Sequence, residues 1–186
     1  KVPQLQNDLV EDVLWGTGQP GGEQGYNIAR ISSLLAGIDA PGVTVNRYCS
    51  SSLQTIRMAF HAIKAGEGDV FVAGGVECVS RYQFGASDTG SHNDSFEDAE
   101  TRTAERTGEG VDAWTPPQGL PDVYIAMGQT AENVAQSKGV SRKDQDEWGV
   151  RSQNRAEAAA ARGFFEREIT PYTVPDGTVV TADDGI

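Results

Sequence analysis

The chain has 186 residues, 38% of them hydrophobic and 23% charged, with a formal net charge of −12. It is long enough to bury a core and too apolar to be disordered. The negative balance argues against nucleic acid and anionic membrane as partners, and there is neither an apolar run approaching a membrane span nor a signal-like N-terminus. Two cysteines, Cys49 and Cys78, make a poor disulfide framework at this length, so a reducing cytoplasm is expected. Both ends are expected to be cut, at Lys1 in a polar stretch and at Ile186 without a terminating element.

Asp12–Trp15 reads as a short strand running into a glycine-rich loop, Gly16–Gly25. Gly16-Thr-Gly18 and Gly21-Gly22 lack both a Gly-Lys-Ser/Thr and a dinucleotide fingerprint, and read as turn glycines rather than a phosphate loop. Tyr26–Ala36 carries Ile28, Ile31, Leu34 and Leu35 at helical spacing, with Gly37 as its stop. Val43–Tyr48 is β-branched and aromatic and predicts a strand. From Ser50 onward Leu53, Ile56, Phe60 and Ile63 fall three and four apart, the stripe of a buried helix. Gly66-Glu-Gly-Asp69 is a turn, and Val70–Val76 is a continuous apolar run that reads as a central buried strand. This alternation predicts parallel strands joined by crossover helices.

After Arg81 the pattern dissolves, and Ser87–Gly119 reads as a long polar loop, either functional or a solvated excursion. Helical character returns over Tyr124–Lys138, with Met127, Ala131, Val134 and Ala135 as its apolar face and Gly139 as its stop. Ser141-Arg-Lys-Asp144 is a capping-box-like start, with Asp in place of Glu or Gln, for a helix running to about Arg162. Glu168–Val174 reads as extended, demoted by Pro171 to an edge or a bulge.

Cys49 stands where the second strand runs into its helix. Unpaired N–H groups and the positive end of the macrodipole concentrate at a helix N-terminus, a setting that favours thiolate, the nucleophilic form. The alternative is a small buried residue at a tight corner. Neither histidine suits a base for it. His61 is twelve residues along the same helix, about 18 Å away, and His92 lies in a polar stretch. Acyl transfer by cysteine needs a proton acceptor, so the base of a catalytic Cys49 is expected outside these residues.

Four segments, in order, resemble the thiolases. Asn46-Arg-Tyr-Cys49-Ser-Ser-Ser52-Leu53 is similar to their nucleophile motif, Asn-x-x-Cys-x-Ser-Gly/Ser-Leu. Ala73-Gly-Gly-Val-Glu77-Cys-Val-Ser80-Arg81 resembles Ala-Gly-Gly-Met-Glu-Ser-Met-Ser, and Met127-Gly-Gln-Thr-Ala-Glu132-Asn133-Val134-Ala135 resembles Met-Gly-x-Thr-Ala-Glu-Asn-x-Ala. Ser141-Arg-Lys-Asp-Gln145-Asp146, with Ser152, Gln153 and Ala156, is similar to a fourth family helix. The resemblance implies an α/β, thiolase-like βαβαβ layered fold with a mixed sheet and an inserted, largely helical loop domain. It divides the chain into a core over 1–81 lacking its opening strand and helix, the loop domain over 82–174, and a return toward the core over 175–186.

The resemblance further implies that Cys49 carries the acyl group as a thioester and that its backbone N–H serves an oxyanion hole. Coenzyme A is a substrate, no resident cofactor or metal is expected, and acyl-CoA and a homodimer or homotetramer are the implied partners. The activating histidine and the second cysteine of the family belong to the half absent here, so the chain alone is expected to be inactive. Leu120 and Met127 match positions that contact the pantetheine end, with core packing as the alternative for Met127. Ala126 stands where short-chain biosynthetic thiolases carry histidine, which favours the degradative 3-ketoacyl-CoA class of fatty-acid β-oxidation. Cys78 replaces a family serine and reads as a core residue. The competing expectations are a ketosynthase-type condensing enzyme and a non-catalytic thiolase-like scaffold.

Overall fold

The computed structural model describes residues 2–79, 90, 92–108 and 114–185. Ser80 and Arg81, the expected domain boundary after Arg81, and much of the expected loop between Ser87 and Gly119 lie outside the described residues. The chain forms two compact units, Lys1–Ser91 and His92–Ile186.

In the first unit β1 (Asp12–Gly16), α1 (Ile28–Leu35), β2 (Gly42–Val45), α2 (Ser51–Ala65) and β3 (Phe71–Gly75) alternate along the chain. The sheet order is β2-β1-β3, and both pairings are parallel, as the alternation predicts. The chain moves from β1 to one neighbour and then across to the other, so right-handed crossovers put the two helices on opposite faces. The side-chain alternation agrees. Val13 pairs with Gly42, whose missing Cβ would sit 2.9 Å from the Ala29 backbone of α1, whereas a Cβ on Gly16 would meet Ser51 of α2 at 2.8 Å. On the α1 face Val10, Val13, Ala29 and Ala40 form the buried cluster, with Trp15, Ile38, Val70 and Val72 against it. Asn27, at φ 52°, caps α1 and ties it to β2. Its Oδ1 accepts from Thr44 Oγ1 at 2.9 Å and its Nδ2 donates to Gly42 O at 2.9 Å.

Three expectations are corrected here. The strand expected over Val43–Tyr48 ends at Val45, because Tyr48 enters a 3-10 turn, Tyr48–Ser50, that leads into α2. Val70–Val76 is not the central strand. Among the described residues β1 is central, and β3 is a half-buried edge whose long apolar run has only one partner strand. The apolar stripes do not mark the buried helix faces either. α1 buries Ala29 and Ser33 and α2 buries Ser51, Thr55 and Ala59, while Leu53 (70% exposed), Ile56, Phe60 and Ile63 point outward. Small residues face the sheet because its glycines let the helices lie close.

The second unit contains α3 (Glu97–Gly108), α4 (Met127–Lys138), α5 (Arg142–Ala161) and a hairpin of β4 (Tyr172–Thr173) with β5 (Val179–Val180). α3 replaces part of the expected loop. It lacks an apolar stripe, but Glu97, Asp98 and Glu100 lie in its first turn and Arg106 in its last, which suits the macrodipole, and Ala99 is buried. α4 meets α3 through polar groups, with Arg106 donating to Asn133 and Gln136 and Gln129 to Thr107. Its expected apolar face is mostly exposed. Ser141 caps α5 as expected, accepting from Asp144 N at 3.2 Å while its hydroxyl donates to the Asp144 carboxylate at 2.6 Å. The extended segment expected over Glu168–Val174 is shorter, because Phe164–Arg167 makes a 3-10 turn and pairing begins only at Tyr172. The three-strand sheet is parallel throughout, and antiparallel pairing occurs only in β4–β5 among the described residues.

Glu11 fixes where β3 begins. Its carboxylate accepts the N–H groups of Val70 (2.9 Å) and Asp69 (2.5 Å), and these bonds hold its pKa below the ordinary glutamate value. A lowered folded-state pKa contributes stability that is full above the unfolded value, about 4.3, and fades as pH falls through the folded value. Glu11→Gln is therefore expected to lower stability at neutral pH and to flatten its decline below about pH 4.3. Urea unfolding across that range checks both.

Candidate active site

The three parallel strands deliver their carboxyl ends to one place, the edge at which open α/β sheets bind ligands. Thr17 N donates to Val45 O at 3.1 Å and Val76 N to Gly16 O at 2.9 Å, so the loops leaving β1, β2 and β3 stay together beyond the strands. α2 begins over this edge. Its Thr55 hydroxyl donates to Gly74 O at 3.1 Å, and the space a Cβ on Gly16 or Gly75 would need is filled by Ser51 and Ser52. Helix and strands touch backbone to backbone.

Cys49 sits in the 3-10 turn just before α2. The preceding residue, Tyr48, has φ 45°, a left-handed conformation that is costly for a bulky side chain. Side chains on both sides hold it. Asn46 Oδ1 accepts from Tyr48 N at 2.8 Å, and Ser51 Oγ donates to Tyr48 O at 2.6 Å while accepting from Arg47 N at 2.9 Å. Ser50 N donates to Arg47 O at 3.0 Å. The Cys49 N–H between these occupied donors meets no acceptor among the described residues. The thiol is free and exposed, so no pocket of the first unit encloses it, contrary to the buried-corner alternative. Sequence reading missed the Tyr48 twist and its two clamps. Asn46 and Ser51, polar residues of the kind that bond to nearby backbone, were the available signal.

The other expected residues fall as follows. Cys78 is free and half-buried, its N–H donating to the buried Gln24 Oε1 at 3.0 Å. His61 is exposed on α2, and His92, in the second unit, bonds Glu100 at 2.7 Å and stacks on Tyr124 at 3.8 Å. Leu120 and Met127 belong to the second unit, 51% and 72% exposed. Exposure removes the core-packing alternative for Met127 within that unit. Leu120 O accepts from Arg102 Nη2 at 2.8 Å. Among the described residues no cluster of His, Cys, Asp and Glu is built to hold a metal ion, and no helix is long and apolar enough to cross a membrane.

A family model described as "Thiolase, N-terminal domain" matches residues 1–186. This chain belongs to the thiolase family. It is 42% identical over 177 residues to a beta-ketoadipyl-CoA thiolase of Acinetobacter baylyi, covering 93% of this chain and 42% of that protein. A 3-ketoacyl-CoA thiolase of Shewanella denitrificans is 41% identical over 170 residues, covering 90% of this chain and 38% of its own. The 3-oxoadipyl-CoA/3-oxo-5,6-dehydrosuberyl-CoA thiolase of Escherichia coli is 38% identical over 177 residues, at 92% and 42% coverage. The chain thus spans about two fifths of the length of these thiolases. The parallel βαβαβ unit that carries Cys49 is the α/β architecture expected of the family.

The contact of α2 with Gly16 gives a direct test of how the thiolase motif is seated. Gly16→Ala places a methyl 2.8 Å from Ser51 atoms, and the overpacking is expected to cost about 1–3 kcal/mol. A lowered thermal midpoint of the purified chain, against an unchanged or slightly raised one for Gly128→Ala on α4, where a methyl meets nothing, is the expected pattern.

Proposed function

We propose that this chain is the N-terminal part of a thiolase-type acyltransferase that cleaves 3-ketoacyl-CoA with coenzyme A, or condenses acyl-CoAs in reverse, through an acyl-Cys49 thioester. The observation that carries this reading is the Cys49 turn, an exposed thiol at the head of α2 with its own N–H unengaged, in the family's nucleophile segment. In the degradative direction the Cys49 sulfur attacks the 3-keto carbon, and the developing oxyanion is met by N–H donors, Cys49's among them. The C2–C3 bond then breaks with its electron pair going to C2. C2 takes a proton from an acid outside these residues, which leaves acyl-Cys49 and acetyl-CoA. The thiol of coenzyme A then attacks the thioester, forming the chain-shortened acyl-CoA and returning the Cys49 thiol.

Residues 82–174 act in this proposal as the inserted loop domain. The exposed Leu120 and Met127 supply apolar contact for the pantetheine end, and Ala126 leaves room for a longer acyl group than histidine would. The outward stripe of α2 supports a second half that covers this helix; family membership supports its carrying the activating histidine and second cysteine and self-associating, and two free cysteines fit a reducing cytoplasm.

Incubating the full-length protein with acyl-CoA is expected to give a covalent adduct on Cys49 by peptide mass spectrometry, absent in Cys49→Ala. No adduct on the unmodified protein would leave a binding scaffold instead. The purified 186-residue chain alone is expected to show no thiolysis, and turnover by it would overturn the need for a second half.

A further inference from the structure

Just past β3 lies a carboxylate that the chemistry above does not use. Glu77 accepts from Gly18 N at 2.6 Å, Gln19 N at 3.2 Å and Thr17 Oγ1 at 3.1 Å. Two consecutive backbone N–H groups and a hydroxyl converge on one anion, the arrangement of a backbone nest. Bonds of this kind to a charged acceptor are stronger than neutral ones. They fix the loop leaving β1 to the loop leaving β3.

The loop so fixed is tied to the strand end that leads into the Cys49 turn, with Thr17 N donating to Val45 O at 3.1 Å. A Cβ built on Gly18 would lie 3.6 Å from both Cα and C of Tyr48, and 3.1 Å from Glu77 Oε2. Gly18 thus lies between Glu77 and Tyr48, with about a methyl group's width separating it from Tyr48, and the next residue is Cys49. Tyr48 keeps its left-handed conformation only where its surroundings over-determine it. Asn46 and Ser51 do so from its own segment, and the Thr17 bond to Val45 O fixes the start of that segment from the neighbouring loop. A relaxed Tyr48 rotates the Tyr48–Cys49 peptide, and with it the N–H that meets the oxyanion.

We propose that Glu77 is a positioning residue for Cys49, acting through the Thr17–Gln19 loop to hold the Tyr48 turn and so aim the Cys49 N–H and thiol. This rests on Cys49 being the nucleophile. Glu77 touches no substrate in this proposal. Its effect belongs to the acylation step and not to substrate affinity.

The test uses the full-length protein with acetoacetyl-CoA and a longer straight-chain 3-ketoacyl-CoA, reading the rate of Cys49 acylation by rapid quench and mass spectrometry. Glu77→Gln keeps the side-chain length but sets an NH₂ against one of the loop's donors. It is expected to slow acylation about tenfold, the effect of one lost charge-assisted bond, with the substrate concentration that half-saturates acylation unchanged and the thermal midpoint lowered by only a few degrees. Thr17→Val keeps the shape, removes only the hydroxyl donor, and is expected to slow acylation a few-fold. It decides the matter should Glu77→Gln not fold. Acylation at the unmodified rate in the variants, or a loss that merely follows the fraction unfolded, overturns the positioning role and leaves the nucleophile standing. No adduct on the unmodified protein overturns the nucleophile itself, and the positioning role with it.

Discussion

The first unit depends on how closely α2 can approach the carboxyl ends of β1 and β3. Gly16 and Gly75 carry no side chain where the helix arrives, and the helix answers with Ser51, Thr55 and Ala59 on successive turns. A side chain at either glycine would lift the helix. The approach fixes more than packing, because the first turn of α2 carries the Cys49 turn with it. Close contact at the helix start is thus also placement of the thiol over the strand ends.

The turn itself is a local conflict resolved by its neighbours. β2 must stop at Val45 and the helix must start at Ser51, and within those few residues the chain reverses its course through Tyr48 at φ 45°. A glycine at Tyr48 would adopt that conformation without strain. It would also leave the turn free to adopt others. A tyrosine clamped by Asn46 and Ser51 has one arrangement, at a cost of order 1–3 kcal/mol, and that arrangement leaves the Cys49 N–H without an acceptor among the described residues.

The order of elements in the first unit was legible in the sequence because strand and helix periods differ, and glycines such as Gly37 and Gly66, both at positive φ, punctuate the helices where the pattern ends. Which face each helix buries was not legible. Periodicity finds the large apolar residues, and in α2 these are Leu53, Ile56, Phe60 and Ile63, all outward in this chain. The buried residues are small and partly polar, and nothing in their own spacing shows that glycines wait opposite them. α3 was missed for the complementary reason. Its stability rests on end charges and one buried alanine, which a search for apolar stripes passes over. Of the candidate site, Cys49 at the mouth of the helix was visible from strand and helix patterns, whereas the Tyr48 conformation shows only in how Asn46 and Ser51 bond to its backbone, and the Glu77 bonds join segments up to 60 residues apart.

The exposed stripe and the exposed thiol have one physical origin. A stripe of four large apolar side chains, 46–70% exposed, is surface that folding of these residues alone leaves unburied, and burying what remains of each would contribute about 1–2 kcal/mol. The same water that bathes the stripe reaches Cys49. In water an N–H gains little by meeting an oxyanion, because solvent competes for both. In a dry, low-dielectric site the same geometry is worth several times more. A surface that covered α2 would therefore do two things at once, burying the stripe and removing solvent from the head of the helix. The arrangement of donors around Cys49 is already in place without it, and what the uncovered site lacks is the environment in which those donors act strongly.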